Sequence, residues 1–336
     1  MGRDMICPVC KDDCLRAAEE VIADVETRYL SCRRCPPEPN LDKNISGKLL
    51  PPRVERCPSC GRAALDAVML DALRLLKSYG LRDKDDDLRS VGMPLIDVGY
   101  PLAYPPRLGR DSLILVGEKY SKAAAEAMVG DIPEIKGVIE SRGVPGVIDA
   151  AKKPHKNLLL AGCDLRADVV SSLMGELVVY KRQSLIHIEF SRQNAPKMRI
   201  LEELYFRGRL RDVADGLCGP GTLGLMSILA GAERVVFNDA WLPAVEDLLM
   251  NLEVNRRSLG IEEIEHMETP KGMVGREPVL VARAAGACQI EVYHGDLSRL
   301  FSRARPAELC LIDHFPGSDT RALEQACRCC KETVIV

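Results

Sequence analysis

Apolar positions along this chain change their period several times, and the changes mark out its elements. Ala64, Val68, Leu70, Leu73, Leu75 and Leu76 follow a helical period that Gly80 ends. Between Gly92 and Phe190 short apolar runs alternate with helical ones, at residues 112–116, 121–128, 137–139, 146–148, 157–161, 176–180 and 185–190. This predicts a mixed α/β region. Beyond it the alternation becomes regular. Strands are predicted over 211–215, 233–237, 289–294, 308–312 and 333–336, with helices over 223–229 and 320–330. Strands separated by helices form a parallel sheet covered on both faces.

Candidate chemistry sits in the loops that leave these strands. The first strand ends at Asp215 and runs into Gly216-Leu-Cys-Gly219-Pro-Gly221-Thr-Leu-Gly224. Strand, glycine loop and helix in that order suit a nucleotide-type ligand: glycines let the backbone turn and approach closely, and the helix start presents unpaired amides. Asp215 stands four residues before Gly219, an acid that a dinucleotide fingerprint does not need. The second strand finishes in Asn238-Asp239, which places a carboxylate to accept both ribose hydroxyls of an adenosyl group. The third leads into Gly295-Asp296, an acid that could meet an adenine amine. The fourth delivers Asp313-His314-Phe315 to the same carboxyl edge.

Cysteine usage adds a second kind of chemistry. Three Cys-x-x-Cys pairs, Cys7/Cys10, Cys32/Cys35 and Cys57/Cys60, fall in the first sixty residues. Two such pairs make one tetrahedral zinc site, with turn amides directed at thiolate sulfur. Spacing leaves open which pairs share a metal, and Cys14 allows a second site. An iron-sulfur cluster is the competing use. The N-terminus opens into cysteines rather than an apolar signal core, and no apolar run reaches the length of a membrane span. A cytoplasmic protein is therefore expected, and its 14 cysteines then favour metal over disulfides. An all-thiolate zinc has no open position for substrate, so its expected role is structural.

The net charge of -3 is no global signature of a nucleic-acid partner, so any such contact must be local. One stretch qualifies. Residues 181–211 carry Lys181, Arg182, Arg192, Lys197, Arg199, Arg207, Arg209 and Arg211 against Glu189, Glu202 and Glu203. Such a run is either a solvated helix face or a phosphate-binding stripe.

Together, Asp215-x-x-x-Gly219-x-Gly221-x-x-Gly224, Asn238-Asp239, Asn251-x-x-x-Asn255, Gly295-Asp296 and Asp313-x-Phe315 resemble class I S-adenosylmethionine methyltransferases over about 125 residues. Among these the tRNA guanine-N2 dimethyltransferases are nearest, with the guanine-N1 and wybutosine-pathway enzymes close behind. The resemblance implies S-adenosylmethionine as methyl donor, Gly219 and Gly221 along its methionine part, Asp239 on ribose and Asp296 near adenine. Asp215 and Asn238 complete the implied cofactor set. Asp313, His314 and Phe315 would then lie at the methyl-transfer position. His314 stands where the family pattern has proline, and proline has moved to Pro316. It could be a base or could fill space.

The expected architecture is α/β: a small Cys-rich zinc module with a helix over 1–90, a mixed α/β domain over 91–190, and a Rossmann-like class I methyltransferase sheet over 191–336. Such sheets normally finish with an antiparallel hairpin after the fifth strand. Here the fifth predicted strand ends at Val336, so either the sheet is short or the middle region supplies that edge, and the latter is expected. The expected activity is methylation of a base in tRNA or other RNA. A protein side chain or small metabolite is the alternative acceptor, and a non-catalytic zinc-bearing binding protein is the third reading.

Overall fold

The computed structural model describes residues 5–39, 41–51, 55–145, 155–189, 196–267, 272–315 and 319–336. The apolar run at 146–148, Arg192, Pro316 and Gly317 lie outside the described residues. The chain divides into two compact units, one of residues 1–16, 23–167 and 182–190, the other of 17–22, 168–181 and 191–336. Among the described residues no helix is long and apolar enough to cross a membrane.

In the first unit, helix α1 (Leu65–Ser78) buries Val68, Leu70, Leu73 and Leu76, the stripe that the helical period marks in the sequence. Strands β1 (Met93–Ile96) and β2 (Leu113–Gly117), helix α2 (Lys122–Asp131), and strands β3 (Ile135–Glu140) and β4 (Leu158–Gly162) follow. The sheet runs in the order β1-β2-β3-β4. Its central pair is parallel and is joined through α2, while each edge strand is antiparallel to its neighbour. Ser121 starts α2 by accepting the Ala124 N–H on its hydroxyl at 3.2 Å. Leu113, Ile114, Leu115, Ile135, Val138 and Ile139 are all buried, as continuous apolar runs in central strands should be. Arg56 holds the buried Glu134 carboxylate through two bonds of 2.8 and 2.9 Å.

A hairpin of β5 (Leu165–Ser172) and β6 (Gly175–Arg182) follows, whose residues 168–181 count in the second unit. That unit continues with α3 (Pro196–Phe206), β7 (Asp212–Asp215), α4 (Thr222–Leu229), β8 (Arg234–Asp239), α5 (Leu242–Val254), β9 (Ile261–His266) and β10 (Val279–Gly286). It ends with β11 (Gln289–His294), α6 (Leu297–Leu300), β12 (Leu309–Ile312), α7 (Thr320–Ala326) and β13 (Glu332–Ile335). The seven-stranded sheet has the order β9-β10-β11-β8-β7-β12-β13. Its five strands β11, β8, β7, β12 and β13 run parallel.

Alternation along these strands divides the core between two faces. Val213, Val235, Phe237, Leu309 and Leu311 pack with Leu201 of α3, Leu225 of α4 and Leu248 of α5. Ala214, Val236, Cys310 and Ile312 pack on the opposite side with Leu297 and Leu300 of α6. Successive residues point to opposite faces, and both faces are covered. Gly224 is part of this fit. A Cβ there would come within 2.2 Å of the Phe237 ring, so only glycine lets α4 lie this close to β8.

The sheet corrects one expectation. Among the described residues the middle region adds no strand beside β13. The added antiparallel pair, β9 and β10, lies at the other edge, beside β11. Sequence periodicity does not show it, because β9 carries only Ile261 and Ile264 as apolar residues and alternates imperfectly.

Asn251 and Asn255 turn out to be structural clamps. The Asn251 side chain accepts the Tyr180 N–H at 2.7 Å and donates to the Tyr180 and Pro220 carbonyls at 3.0 Å each. Asn255 accepts the Val178 N–H at 3.0 Å and donates to the Val178 carbonyl at 2.7 Å. Two carboxamides one turn apart, on α5 and at its C-terminal cap, thus imitate a neighbouring strand and satisfy the edge of β6.

Candidate functional site

The strands β7, β8, β11 and β12 all deliver their last residues to one sheet edge. Helices α4 and α5 pack on one face and α6 on the other, so the chain reverses direction across the sheet between β7 and β12. Open parallel sheets bind ligands in the crevice at such a switch point. Asp215, Asp239, His294 and Asp313 stand at these tips.

Asp215 is fully buried and its Oδ2 accepts the Gly224 N–H at 2.8 Å. Its Oδ1 has no partner among the described residues. Burial pushes its carboxyl up to about 7; the Gly224 amide opposes this, and the Asp313 and Asp239 carboxylates add to it. In the unfolded chain the same group titrates near 3.8. The folded state therefore holds its proton more tightly, and the stability this contributes is present below that lower value. It is lost as pH climbs through about 7. Substitution with Asn, which keeps the bond to Gly224, should remove this loss. Denaturant titrations of both proteins from pH 4 to 8 should show the Asn variant gaining on the unsubstituted chain as pH rises; a constant difference would contradict the assignment.

Asp239 ties the glycine loop to the next helix. Its Oδ2 accepts the Gly219 N–H and its Oδ1 the Trp241 N–H, each at 2.8 Å. Gly219 has φ +52°, and a Cβ there would meet nothing within 4 Å, which makes this the open side of the loop. Asn238 is buried and donates to the Gly216 and Gly295 carbonyls at 3.1 Å each, while its Oδ1 has no partner among the described residues. His294 Nδ1 lies 3.1 Å from the Asp239 carbonyl, which can only accept, so Nδ1 carries a proton and the neutral ring presents Nε2 as an acceptor. That Nε2 is likewise buried without a partner. Unpaired buried polar atoms are costly and rare, so three at one sheet edge suit a ligand rich in donors. A nucleoside with ribose hydroxyls, an adenine amine and an ammonium group is such a ligand. The residues present fit S-adenosylmethionine.

Asp296 is placed differently from the other acids. It caps α6, accepting the Ser298 N–H at 2.8 Å and the Ser298 hydroxyl at 2.7 Å. Asp313 receives Lys197 of α3, whose ammonium lies 2.7 Å from its Oδ2. His314 Nδ1 donates to the Phe315 carbonyl at 2.8 Å, and the Phe315 ring is exposed.

The basic residues of 181–211 do not form one stripe. Lys181 is buried opposite Asp168, Lys197 faces Asp313, and Arg182 belongs to the other unit. Arg207, Arg209 and Arg211 form exposed pairs with Glu203, Glu332 and Glu233.

In the first unit the cysteines form two four-thiol groups, Cys32/Cys35/Cys57/Cys60 and Cys7/Cys10/Cys14/Cys163. Tertiary structure decides the pairing that spacing left open. Within the first group the sulfurs of Cys32 and Cys57 are 3.6 Å apart, and those of Cys35 and Cys60 are 3.7 Å apart. A tetrahedral zinc with bonds of about 2.3 Å sets neighbouring sulfurs about 3.8 Å apart, so these four residues fit the ion. Cys327, by contrast, is buried with its sulfur 2.8 Å from that of Cys310, in the core beside α6.

No family model and no curated protein matches the chain. Among solved structures it is similar to a tRNA m1G37 methyltransferase of M. jannaschii, with 14% identity over 79% of this chain and 62% of that one at a TM-score of 0.40. It is similar also to Trm1 of Pyrococcus horikoshii in complex with S-adenosyl-L-methionine, with 23% identity over 48% and 39% of the two chains at a TM-score of 0.35. A third is the tRNA (uracil-54, C5)-methyltransferase of Pyrococcus abyssi in complex with S-adenosyl-L-homocysteine, with 12% identity over 81% and 56% at a TM-score of 0.37. The matched part spans less than two thirds of each of these proteins' own lengths.

Sequence reasoning missed three residues of these sites. His294 was legible, since it ends a predicted strand one residue before Gly295-Asp296. Lys197 was legible only as one cation of the basic run and Cys163 not at all, because each meets its partners across more than a hundred residues and no local pattern marks those contacts.

Proposed function

We propose that this chain is an S-adenosylmethionine-dependent methyltransferase that modifies a base in tRNA or another RNA. The observation that carries the methyltransferase reading is the Asp239 carboxylate bonded to the open glycine loop at Gly219, with buried unpaired acceptors on Asp215, Asn238 and His294 at the same edge. When bound, the donor supplies an electrophilic sulfonium methyl. Asp239 accepts its ribose hydroxyls, Gly219 and Gly221 let the backbone lie along its methionine part, and Asn238 braces the strand tips. Asp313 accepts a hydrogen of the attacking amine and so directs the nitrogen lone pair. Lys197 holds the Asp313 carboxylate in place through its 2.7 Å ion pair, and Phe315 offers an aromatic face to the base.

An RNA acceptor is supported by the end of α3. Tyr205 and Phe206 are exposed there with ring centroids 5.5 Å apart, among exposed Arg199, Arg207, Arg209 and Arg211. Exposed ion pairs contribute at most about 1 kcal/mol, so phosphates can displace Glu203, Glu332 and Glu233 from these arginines. Aromatic rings within a basic patch bind unstacked bases, and a target base inside a helix would be flipped out to reach the donor. In the first unit, Cys32, Cys35, Cys57 and Cys60 hold a structural zinc.

The test is to incubate the purified chain and methyl-labelled donor separately with total RNA, total protein and a metabolite extract. Label should enter RNA, and its transfer should fall steeply between dilute and physiological salt. Label in protein or metabolites would refute the RNA reading. Absence of both label and donor binding would refute the methyltransferase reading.

A further inference from the structure

We propose that the chain carries a second zinc ion, held by Cys7, Cys10, Cys14 and Cys163, which staples the N-terminal segment to the turn after β4. The proposal is independent of the methyltransferase reading.

Its geometry is that of one tetrahedral ion. The Cys10 and Cys14 sulfurs are 3.4 Å apart, and Cys163 lies 3.7 Å from both Cys7 and Cys14. All four lie within 4.8 Å of one another. These separations approach the edge of about 3.8 Å expected for zinc-bound thiolates, and they far exceed the roughly 2.05 Å of a disulfide. A polynuclear iron-sulfur cluster spreads its cysteines over several metal atoms. Four sulfurs gathered so closely suit a single ion.

The framework that presents the thiols is fixed. Gly162 has φ +73°, and a Cβ there would lie 2.1 Å from the Lys136 carbonyl oxygen. A Cβ on Gly137 would lie 2.2 Å from the Cys163 carbonyl oxygen. Only two glycines allow this turn against β3, where the Cys163 N–H donates to the Lys136 carbonyl at 2.8 Å. Opposite it, the Val9 N–H points at the Cys7 sulfur at 3.4 Å, the amide-to-thiolate contact that zinc knuckles use. Charge is partly balanced nearby. Four thiolates leave two net negative charges around zinc, and the buried Lys136 ammonium lies between the Asp97 carboxylate and the Leu165 carbonyl, two residues beyond Cys163.

The two zinc ions should differ in lability. In this second site Cys7 is 0% exposed and Cys163 is 4% exposed, whereas Cys60 of the first site is open to solvent. Cys14 and Cys163 are separated by 149 residues, so the ion closes a long loop and constrains the unfolded chain strongly. The first site should therefore release its metal first.

The full-length chain, purified without chelator, should contain two zinc ions by inductively coupled plasma mass spectrometry. A mercurial thiol reagent should release them in two phases, read with a colorimetric zinc indicator. Cys60→Ser should keep one ion and lose the fast phase. Cys163→Ser should keep one ion and lose the slow phase, and Cys10→Ser should repeat that loss at a less buried ligand should the first variant not fold. One zinc in the unsubstituted chain, two in the folded Cys163→Ser or Cys10→Ser variant, or iron in place of zinc would overturn the proposal.

Discussion

Replacing Asp239 with alanine is expected to weaken S-adenosylmethionine binding by about 10²-fold or more, measured by calorimetry on the purified chain. Each hydrogen bond to a charged acceptor is worth about 1.5–3 kcal/mol, and the role proposed for this carboxylate is to take two ribose hydroxyls. The same carboxylate also holds the Gly219 and Trp241 amides, so its loss also loosens the glycine loop. Asp239→Asn keeps the shape and one acceptor oxygen and should bind better than the alanine variant. Unchanged affinity in Asp239→Ala would mean that this strand tip does not touch the donor.

The second large effect separates binding from transfer. Asp313→Ala should leave donor affinity within a few-fold while lowering the methyl-transfer rate by about 10²–10³-fold, the range seen when one preorganised polar contact to a transition state is removed. Asp313 follows β12, across the switch point from Asp215 at the end of β7, and Lys197 bonds it at 2.7 Å. Lys197→Met should give a smaller loss, since it removes the partner that orients Asp313 but leaves the acceptor. Single-turnover rates with donor saturating are the measurement. A rate unaffected by Asp313→Ala, or a loss confined to donor binding, would remove Asp313 from the transfer step.

The two families of site differ in how far sequence could reach them. The glycine loop and its acids were legible because their chemistry is local. Asp215, Gly219 and Gly224 fall within ten residues on one strand-loop-helix unit, and Asp239 ends the next apolar run. A ligand that needs close backbone approach leaves glycines in fixed order, and a strand buried on both faces leaves a short apolar run that stops at the acid. Asp296 shows the limit of this reading. Its position after β11 matched an adenine contact, yet its side chain caps α6, a use that equally favours an acid just before a helix.

By itself the sequence determined the alternation of strand and helix in the last third, the edge at which the loops converge, and the paired cysteines as candidate metal ligands. These follow from periodicities and spacings within a few tens of residues. The tertiary structure alone decided which thiols are gathered together, that Cys163 joins Cys7, Cys10 and Cys14, and that Lys197 faces Asp313. It also decided that α5 grips β6 through Asn251 and Asn255, and that β9 and β10 extend the sheet beside β11. The reason is physical. Most of these are contacts between segments far apart in the chain, set by how faces pack and which buried polar groups must be satisfied, and neither requirement leaves a periodic trace in the residues themselves.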